Sequence, residues 1–148
     1  MLEKIIHSLC PADTEAAGAA LAVLMREGDL PPYVALYGDL GVGKTAFVRG
    51  FASVIAPGAP VRSPTFALVN EYRGKDMHLF HFDMYRITSE DDLYSIGYDD
   101  YLMRAGICLV EWSENIPNDI PPHHVRVEIT KDNAADPDSR LITIEERR

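Results

Sequence analysis

The apolar and polar positions of the chain follow two different periods, and together they predict an α/β protein. Short runs rich in β-branched and aromatic residues predict strands, and segments with a broad apolar face predict helices. The predicted strands are 4–9, 33–37, 66–72, 77–83, 107–112, 125–130 and 141–144. The predicted helices are 16–25, 45–52, 90–96 and 98–103. The last two strands alternate cleanly, which favours a closing antiparallel hairpin with one solvated face.

Local signals predict where these helices begin and end. Asp13 or Thr14 is expected to cap the first helix, and Gly28, with two prolines beyond it, is expected to end it. Thr88 or Ser89 precedes an acidic first turn and is expected to cap the third helix.

The composition is that of one globular domain, and residues 1–148 are treated as a single unit. Hydrophobic residues make up 47% of the chain and charged residues 25%. The chain lacks an apolar run near the roughly 20 residues that a membrane span needs, and its first residues lack the pattern of a signal peptide. The two cysteines do not suggest a disulfide framework and favour a reducing cytoplasm.

The formal net charge of −9 argues against direct high-affinity binding of nucleic acid, which normally needs a basic patch. The acidic residues gather in clusters, and the usual interpretation of such clusters is a solvated surface. The alternative is that the acidic segment 90–100 docks a basic partner.

The segment 38–45, with the sequence GDLGVGKT, carries the strongest chemical signal. It fits the pattern G-x-x-x-x-G-K-[ST] between a predicted strand and a predicted helix, and therefore predicts a phosphate-binding loop. The glycines let the main chain wrap an anion, so that backbone N–H groups and the helix start point at it. Lys44 adds a cation for the phosphates, and the Thr45 hydroxyl is a candidate Mg²⁺ ligand. The predicted nucleotide-binding residues of the loop are Gly38, Asp39, Leu40, Gly41, Val42, Gly43, Lys44 and Thr45.

Carboxylates end two of the predicted strands. Asp83 and Glu111 are candidate catalytic or Mg²⁺-binding residues, because open α/β sheets build their sites at the carboxyl ends of strands. The structural alternatives are a strand-end cap for Asp83 and a surface position for Glu111. Thr65, in a Ser-Pro-Thr turn, is either a simple turn residue or a sensor of the γ-phosphate or Mg²⁺. Together these elements predict a P-loop NTPase-like, three-layer α/β/α fold with a central mixed β-sheet and a C-terminal antiparallel hairpin.

Four further residues have roles that the pattern leaves open or disfavours. Trp112, the single tryptophan, belongs either to the core or to a lid over the site. Arg86 either forms a structural ion pair or acts on phosphate. His78 and His81 lack the partners of a zinc set, so a metal-binding role is not expected for them.

Four motifs follow one another along the chain: GDLGVGKT at 38–45, SPTF at 63–66, HFDMYR at 81–86 and LVEW at 109–112. In this order and spacing the chain resembles the bacterial TsaE (YjeE) family over nearly its whole length. The resemblance implies an ATPase, weakly active alone, that uses ATP and Mg²⁺ and is required for threonylcarbamoyladenosine in tRNAs reading codons that begin with A. The implied partners are the TsaD and TsaB proteins, whose complex the hydrolysis of ATP would turn over.

The resemblance also implies roles at the phosphates. Lys44 and the loop amides would hold the phosphates, and Thr45 and Glu111 would hold Mg²⁺. Asp83 would be needed for hydrolysis, and Thr65 would belong to a switch-like part of the catalytic site.

Around the nucleotide the resemblance implies three contacts. Trp112 would border the nucleotide, and Thr14 and Arg140 would lie on the side of the base. Two positions depart from the family pattern. Val42 replaces a more usual alanine without an expected loss, and Ala46 replaces a common threonine, which would weaken affinity modestly.

Two other functions are weighed against this one. A small P-loop kinase acting on a small-molecule acceptor would need a lid with catalytic arginines, for which the mid-chain candidates are Arg86 and Arg104. A GTPase-like switch would need an N-K-x-D motif, which the sequence lacks.

Overall fold

The computed structural model describes residues 2–64, 68–132 and 135–148. Within these residues the strands are β1 (Glu3–Ser8), β2 (Tyr33–Tyr37), β3 (Val69–Arg73), β4 (His78–Asp83), β5 (Ile107–Glu111), β6 (His124–Lys131) and β7 (Arg140–Arg147). The helices are α1 (Pro11–Glu27), α2 (Lys44–Ile55), α3 (Glu90–Ser95) and α4 (Tyr98–Met103), with a short 3₁₀ turn at Ser113–Asn115. None of the helices formed by these residues is both long and apolar enough to cross a membrane.

The strands form one mixed sheet in the order β1-β7-β6-β2-β5-β4-β3. Strands β6, β2, β5 and β4 are parallel, whereas β1, β7 and β3 pair antiparallel with their neighbours. The glycine loop therefore leaves the carboxyl end of a central strand, between the carboxyl ends of β5 and β6. This is the edge at which open α/β sheets bind ligands. The predicted mixed sheet and C-terminal hairpin, β6–β7, are confirmed.

Both faces of the sheet are covered, which confirms the predicted three layers. Val34 and Leu36 of β2 point to one face and pack with α1 and α2, whereas Ala35 points to the face covered by α3 and α4. All three side chains are fully buried, and their alternation follows the two-residue period of a strand.

Two glycines let α1 and α2 pack closely. A Cβ at Gly18 would collide with the backbone oxygen of Phe47, and a Cβ at Gly50 would collide with that of Glu15. The close crossing fixes the first turn of α2, and with it the end of the glycine loop, against α1.

The first helix differs from its prediction. It begins at Pro11, and Cys10, in extended conformation, is the N-cap without a side-chain cap hydrogen bond. The predicted caps, Asp13 and Thr14, lie inside the helix, because proline lacks an N–H and its fixed φ suits the first helical position. Asp13 instead accepts a hydrogen bond from the Leu9 N–H at 3.0 Å. The predicted end at Gly28 is confirmed.

Other boundaries agree closely with the patterns. Ser89 caps α3, since its side chain accepts a hydrogen bond from the Asp92 N–H. Strand β3 begins at Val69 rather than at residue 66, and residues 65–67, which include Thr65, lie outside the described residues. Strand β7 extends beyond the predicted 141–144 because β6 and β1 pair with it along its two edges.

Candidate nucleotide-binding site

The glycine loop lies between β2 and α2 in the predicted strand–loop–helix setting. Gly41 and Gly43 have φ angles of 76° and 103°, a region that side-chain-bearing residues rarely adopt. Gly43 is the N-cap of α2, and its conformation turns the chain directly into the helix. The unpaired N–H groups of the first turn of α2 therefore face the loop, and they favour an anion there.

Lys44 is a buried cation in the middle of this site. Its Nζ donates a hydrogen bond to the Gly38 carbonyl at 2.6 Å and lies 3.8 Å from the centroid of the Trp112 ring. Burial lowers the pKa of Lys44, and the carboxylates of Glu111 and Glu114 oppose that shift. A poorly hydrated cation in this position is suited to pairing with a phosphate.

Asp83 and Glu111 stand side by side at the ends of adjacent parallel strands. They are direct register partners of β4 and β5. Asp83 accepts a hydrogen bond from the Tyr85 N–H at 2.9 Å. Burial raises the pKa of Asp83; the Tyr85 hydrogen bond opposes the shift and the charge of Glu111 adds to it. The surface alternative for Glu111 is wrong, because its side chain is only 6% exposed.

The carboxylate of Glu111 forms a buried hydrogen bond with a histidine. His81 Nε2 lies 2.5 Å from Glu111 Oε2, and His81 is itself 1% exposed. This contact of His81 was not predicted from the sequence. The available signal was the period of β4, which puts His81 and Asp83 on the same face of the sheet.

Trp112 borders the loop, and its backbone is strained. It follows β5 in the left-handed region, with φ 57° and ψ 42°, which is uncommon for a bulky side chain. Its ring packs on Tyr85 with 4.9 Å between centroids and also contacts Lys44 Nζ. Of the two open interpretations, the geometry favours a residue at the rim of the site.

Thr14 and Arg140 both lie against the loop. Thr14 is 2% exposed, its hydroxyl bonds to Ser8 Oγ at 2.7 Å, and its methyl group lies beside Gly43. Arg140 donates hydrogen bonds to the loop carbonyls of Val42 at 2.9 Å and Gly41 at 3.3 Å. These contacts support the backbone of the loop, and contact with a base stays a prediction for both residues.

Glu114 is a site residue that sequence reasoning missed. It accepts a hydrogen bond from the Gly38 N–H at 3.1 Å. The left-handed turn at Trp112 and the 3₁₀ turn after it bring Glu114 to the loop, and that turn has no signature in the sequence.

Two clefts are lined in part by Trp112. One, of about 570 Å³, is lined by Gly38, Leu40, Glu114 and the end of β6. The other, of about 230 Å³, is lined by Ser63, Leu68, Asp83 and Arg86. Ser63 and Leu68, which flank the predicted switch residue Thr65 in sequence, both line this second cleft, and Thr65 itself lies outside the described residues.

The donor set fits Mg²⁺ bound together with phosphate. Among the described residues, no three His, Cys, Asp or Glu side chains are grouped to hold a metal alone. Mg²⁺ is commonly held by one or two carboxylates plus substrate phosphates and water. The candidate protein ligands are Thr45, which is exposed in the first turn of α2, and Glu111.

A mixed sheet whose central strand passes through a glycine loop into a helix, with a lysine and two carboxylates at that edge, defines a P-loop NTPase-like α/β protein. A family model described as "Threonylcarbamoyl adenosine biosynthesis protein TsaE" matches residues 9–142. The chain therefore belongs to the TsaE family, which acts in the biosynthesis of tRNA threonylcarbamoyladenosine.

Individual relatives agree with this assignment. The TsaE protein of Bacillus subtilis is 37% identical over 133 residues, which cover 90% of this chain and 79% of the relative. The TsaE protein of Treponema pallidum is 34% identical over 117 residues, or 79% of this chain and 84% of the relative. The crystal structure of Bacillus subtilis YdiB matches with a TM-score of 0.76 and 27% identity, covering 99% of this chain and 87% of that one.

Proposed function

We propose that this protein is an ATPase whose hydrolysis of ATP drives turnover of a TsaB–TsaD complex during threonylcarbamoyladenosine formation. The observation that carries the proposal is geometric: Lys44 donates a hydrogen bond to the Gly38 carbonyl of the glycine loop, at the sheet edge where Asp83 and Glu111 end adjacent strands. Phosphoryl transfer to water needs such a set: a cation for the phosphates, a metal ligand and a group that acts on the attacking water.

In this proposal the glycine loop binds the phosphates, and the two candidate metal ligands bind Mg²⁺. The amides of the loop and of the first turn of α2, with Lys44, hold the phosphates. Thr45 and Glu111 would hold Mg²⁺, which would supply positive charge to the phosphates. Arg140 keeps the loop in shape through its bonds to the loop carbonyls.

Asp83 is the group proposed to act on water. One of its oxygens is engaged by the Tyr85 N–H. The second oxygen orients the attacking water and accepts its proton. The position of Asp83 supports this role, since it ends β4 directly beside Glu111 at the sheet edge that carries the glycine loop.

Protein partners suit the chain better than a direct tRNA contact. The net charge of −9 disfavours a phosphate backbone as a ligand for the surface. The described residues form one sheet with its covering helices, and none of them builds a second domain for an acceptor.

The test is the release of inorganic phosphate from ATP, measured alone and with TsaB–TsaD present. We expect slow release alone and faster release with the partners. D83N should bind nucleotide but lose hydrolysis, whereas D76N, an exposed aspartate in the β3–β4 turn, should behave like the wild type. Wild-type hydrolysis by D83N would contradict the role of Asp83. Phosphate appearing on a small acceptor instead of water would favour a kinase.

A further inference from the structure

Three buried side chains form a hydrogen-bonded relay that leads from the candidate site to the backbone. Glu111 Oε2 lies 2.5 Å from His81 Nε2, and His81 Nδ1 lies 3.2 Å from the Tyr72 hydroxyl. The Tyr72 oxygen in turn accepts from the Arg62 N–H and lies 3.0 Å from the Arg62 carbonyl. Glu111, His81 and Tyr72 are 5%, 1% and 6% exposed.

The sheet itself produces this alignment. Tyr72 pairs with Leu79 across β3 and β4, and His81 pairs with Leu109 across β4 and β5. Each relay residue is therefore the diagonal neighbour of the next, two positions further along the adjacent strand. Diagonal neighbours on one face are within reach of long or aromatic side chains. The relay crosses three strands on the face covered by α2.

In the relay, each hydrogen-bond donor meets an acceptor whether the imidazole of His81 is neutral or cationic. An ionised Glu111 can only accept, so His81 Nε2 is the donor. If the imidazole is neutral, Nδ1 accepts a hydrogen bond from the Tyr72 hydroxyl. The Arg62 carbonyl then still accepts a hydrogen bond from the side-chain amide of Asn70, at 2.9 Å. If it is cationic, Nδ1 donates to Tyr72, which donates to the Arg62 carbonyl. In both cases Glu111 Oε2 accepts the hydrogen bond from His81, and since the described residues show no hydrogen bond to Oε1, this second oxygen can bind a ligand.

We infer that His81 and Tyr72 are positioning residues that hold the Glu111 carboxylate so that its second oxygen can bind Mg²⁺. The inference rests on the proposed function, because it assigns Glu111 to the metal. Partners behind a metal ligand fix its orientation, and their loss typically costs about 10- to 100-fold in metal affinity. Tyr72 acts one step further away, by fixing the imidazole ring against the Arg62 backbone.

The experiment titrates Mg²⁺ against the protein in the presence of a fluorescent ADP analogue, and then repeats the nucleotide-binding measurement in EDTA. We expect H81F to weaken Mg²⁺ binding about 10- to 100-fold and to leave affinity in EDTA unchanged. H81Q should restore most of the loss, because the glutamine amide can donate from the position of Nε2. Y72F should show a smaller loss. H78F is the matched control, since His78 is on the same strand but pairs with Glu71 away from the site.

Unchanged Mg²⁺ affinity in H81F would overturn the inference, and so would an equal loss in EDTA, which would indicate general damage to the site. If H81F fails to fold, the test is a comparison of the Mg²⁺ affinities of H81Q and H81N. The asparagine side chain is shorter and cannot donate from the position of Nε2, so we expect weaker Mg²⁺ binding in H81N. Equal Mg²⁺ affinity in the two variants would refute the inference. Failure of the wild type to bind Mg²⁺ with the nucleotide would instead count against the proposed function.

Discussion

Replacing Lys44 with methionine removes the cation at the centre of the site while keeping a long apolar side chain. Lys44 is 7% exposed and lies among the carboxylates of Asp39, Asp83, Glu111 and Glu114. If the proposed function is right, the substitution removes the cation that pairs with the phosphates, and it also leaves these carboxylates uncompensated beside the glycine loop.

The expected loss follows from two effects. A hydrogen bond to a charged group contributes about 1.5–3 kcal/mol, and each 1.4 kcal/mol changes affinity about tenfold. Because the neighbouring carboxylates are left uncompensated, we expect a loss of binding free energy at the upper end of this range. K44M should therefore bind nucleotide about 100-fold more weakly. K44R keeps the charge, but its planar guanidinium does not match the buried position of the ammonium, so an intermediate loss is expected.

The assay is equilibrium binding of ADP in the presence of Mg²⁺, by calorimetry or by the fluorescence of Trp112, whose ring contacts Lys44 Nζ. K75M is the matched control, because Lys75 is exposed in the β3–β4 turn. Wild-type affinity in a folded K44M variant would refute the argument, since the nucleotide would then bind away from the glycine loop.

Three further outcomes test the packing, the thiols and the loop. G50A should lower the free energy of unfolding by about 1–3 kcal/mol, because the added Cβ meets the backbone of α1, whereas R49A on the same helix should change it little in a denaturant titration. Burial raises the pKa of the Cys108 thiol to about 12, so a thiol reagent should label Cys10 in the native protein and Cys108 only after unfolding. R140M should weaken nucleotide binding about tenfold, less than K44M, because it removes support of the loop rather than a phosphate contact; equal losses in the same binding assay would contradict this.

Local sequence signals predicted the parts of this structure that local chemistry determines. The glycine loop could be located because its spacing, the strand before it and the helix after it are contiguous in sequence. Asp83 and Glu111 could be named because each ends an apolar strand. The predicted start of α1 was wrong. Asp13 and Thr14 are residue types that commonly cap helices, but Pro11 already suits the first helical position, so the helix begins before them.

The relay behind Glu111 could not be predicted in the same way. His81 meets Glu111 and Tyr72 only because β4 lies between β3 and β5 in the stated register, and strand order is a long-range property. Glu114 reaches the loop through a left-handed turn at a tryptophan, a conformation that sequence patterns do not suggest. Contacts of this kind, such as those of His81 and Glu114, can be identified only from the three-dimensional structure.

The two strained positions lie at the same place. Among the described residues, the side-chain-bearing positions with positive φ are Leu68 and Trp112, and both line the cleft that contains Asp83. Strain of this kind costs on the order of 1–3 kcal/mol and persists where the surrounding structure holds it. Its location at the candidate site agrees with a role in binding rather than in folding.

The central claim is that ATP hydrolysis by this chain turns over a partner complex. The most direct measurement is repeated formation of threonylcarbamoyladenosine on tRNA by TsaB–TsaD, with a donor of the threonylcarbamoyl group supplied. With this protein and ATP, we expect many rounds of product per complex. With a non-hydrolysable ATP analogue, or with D83N and ATP, we expect product to stop after about one round. Continued product formation under either of those two conditions would contradict the account.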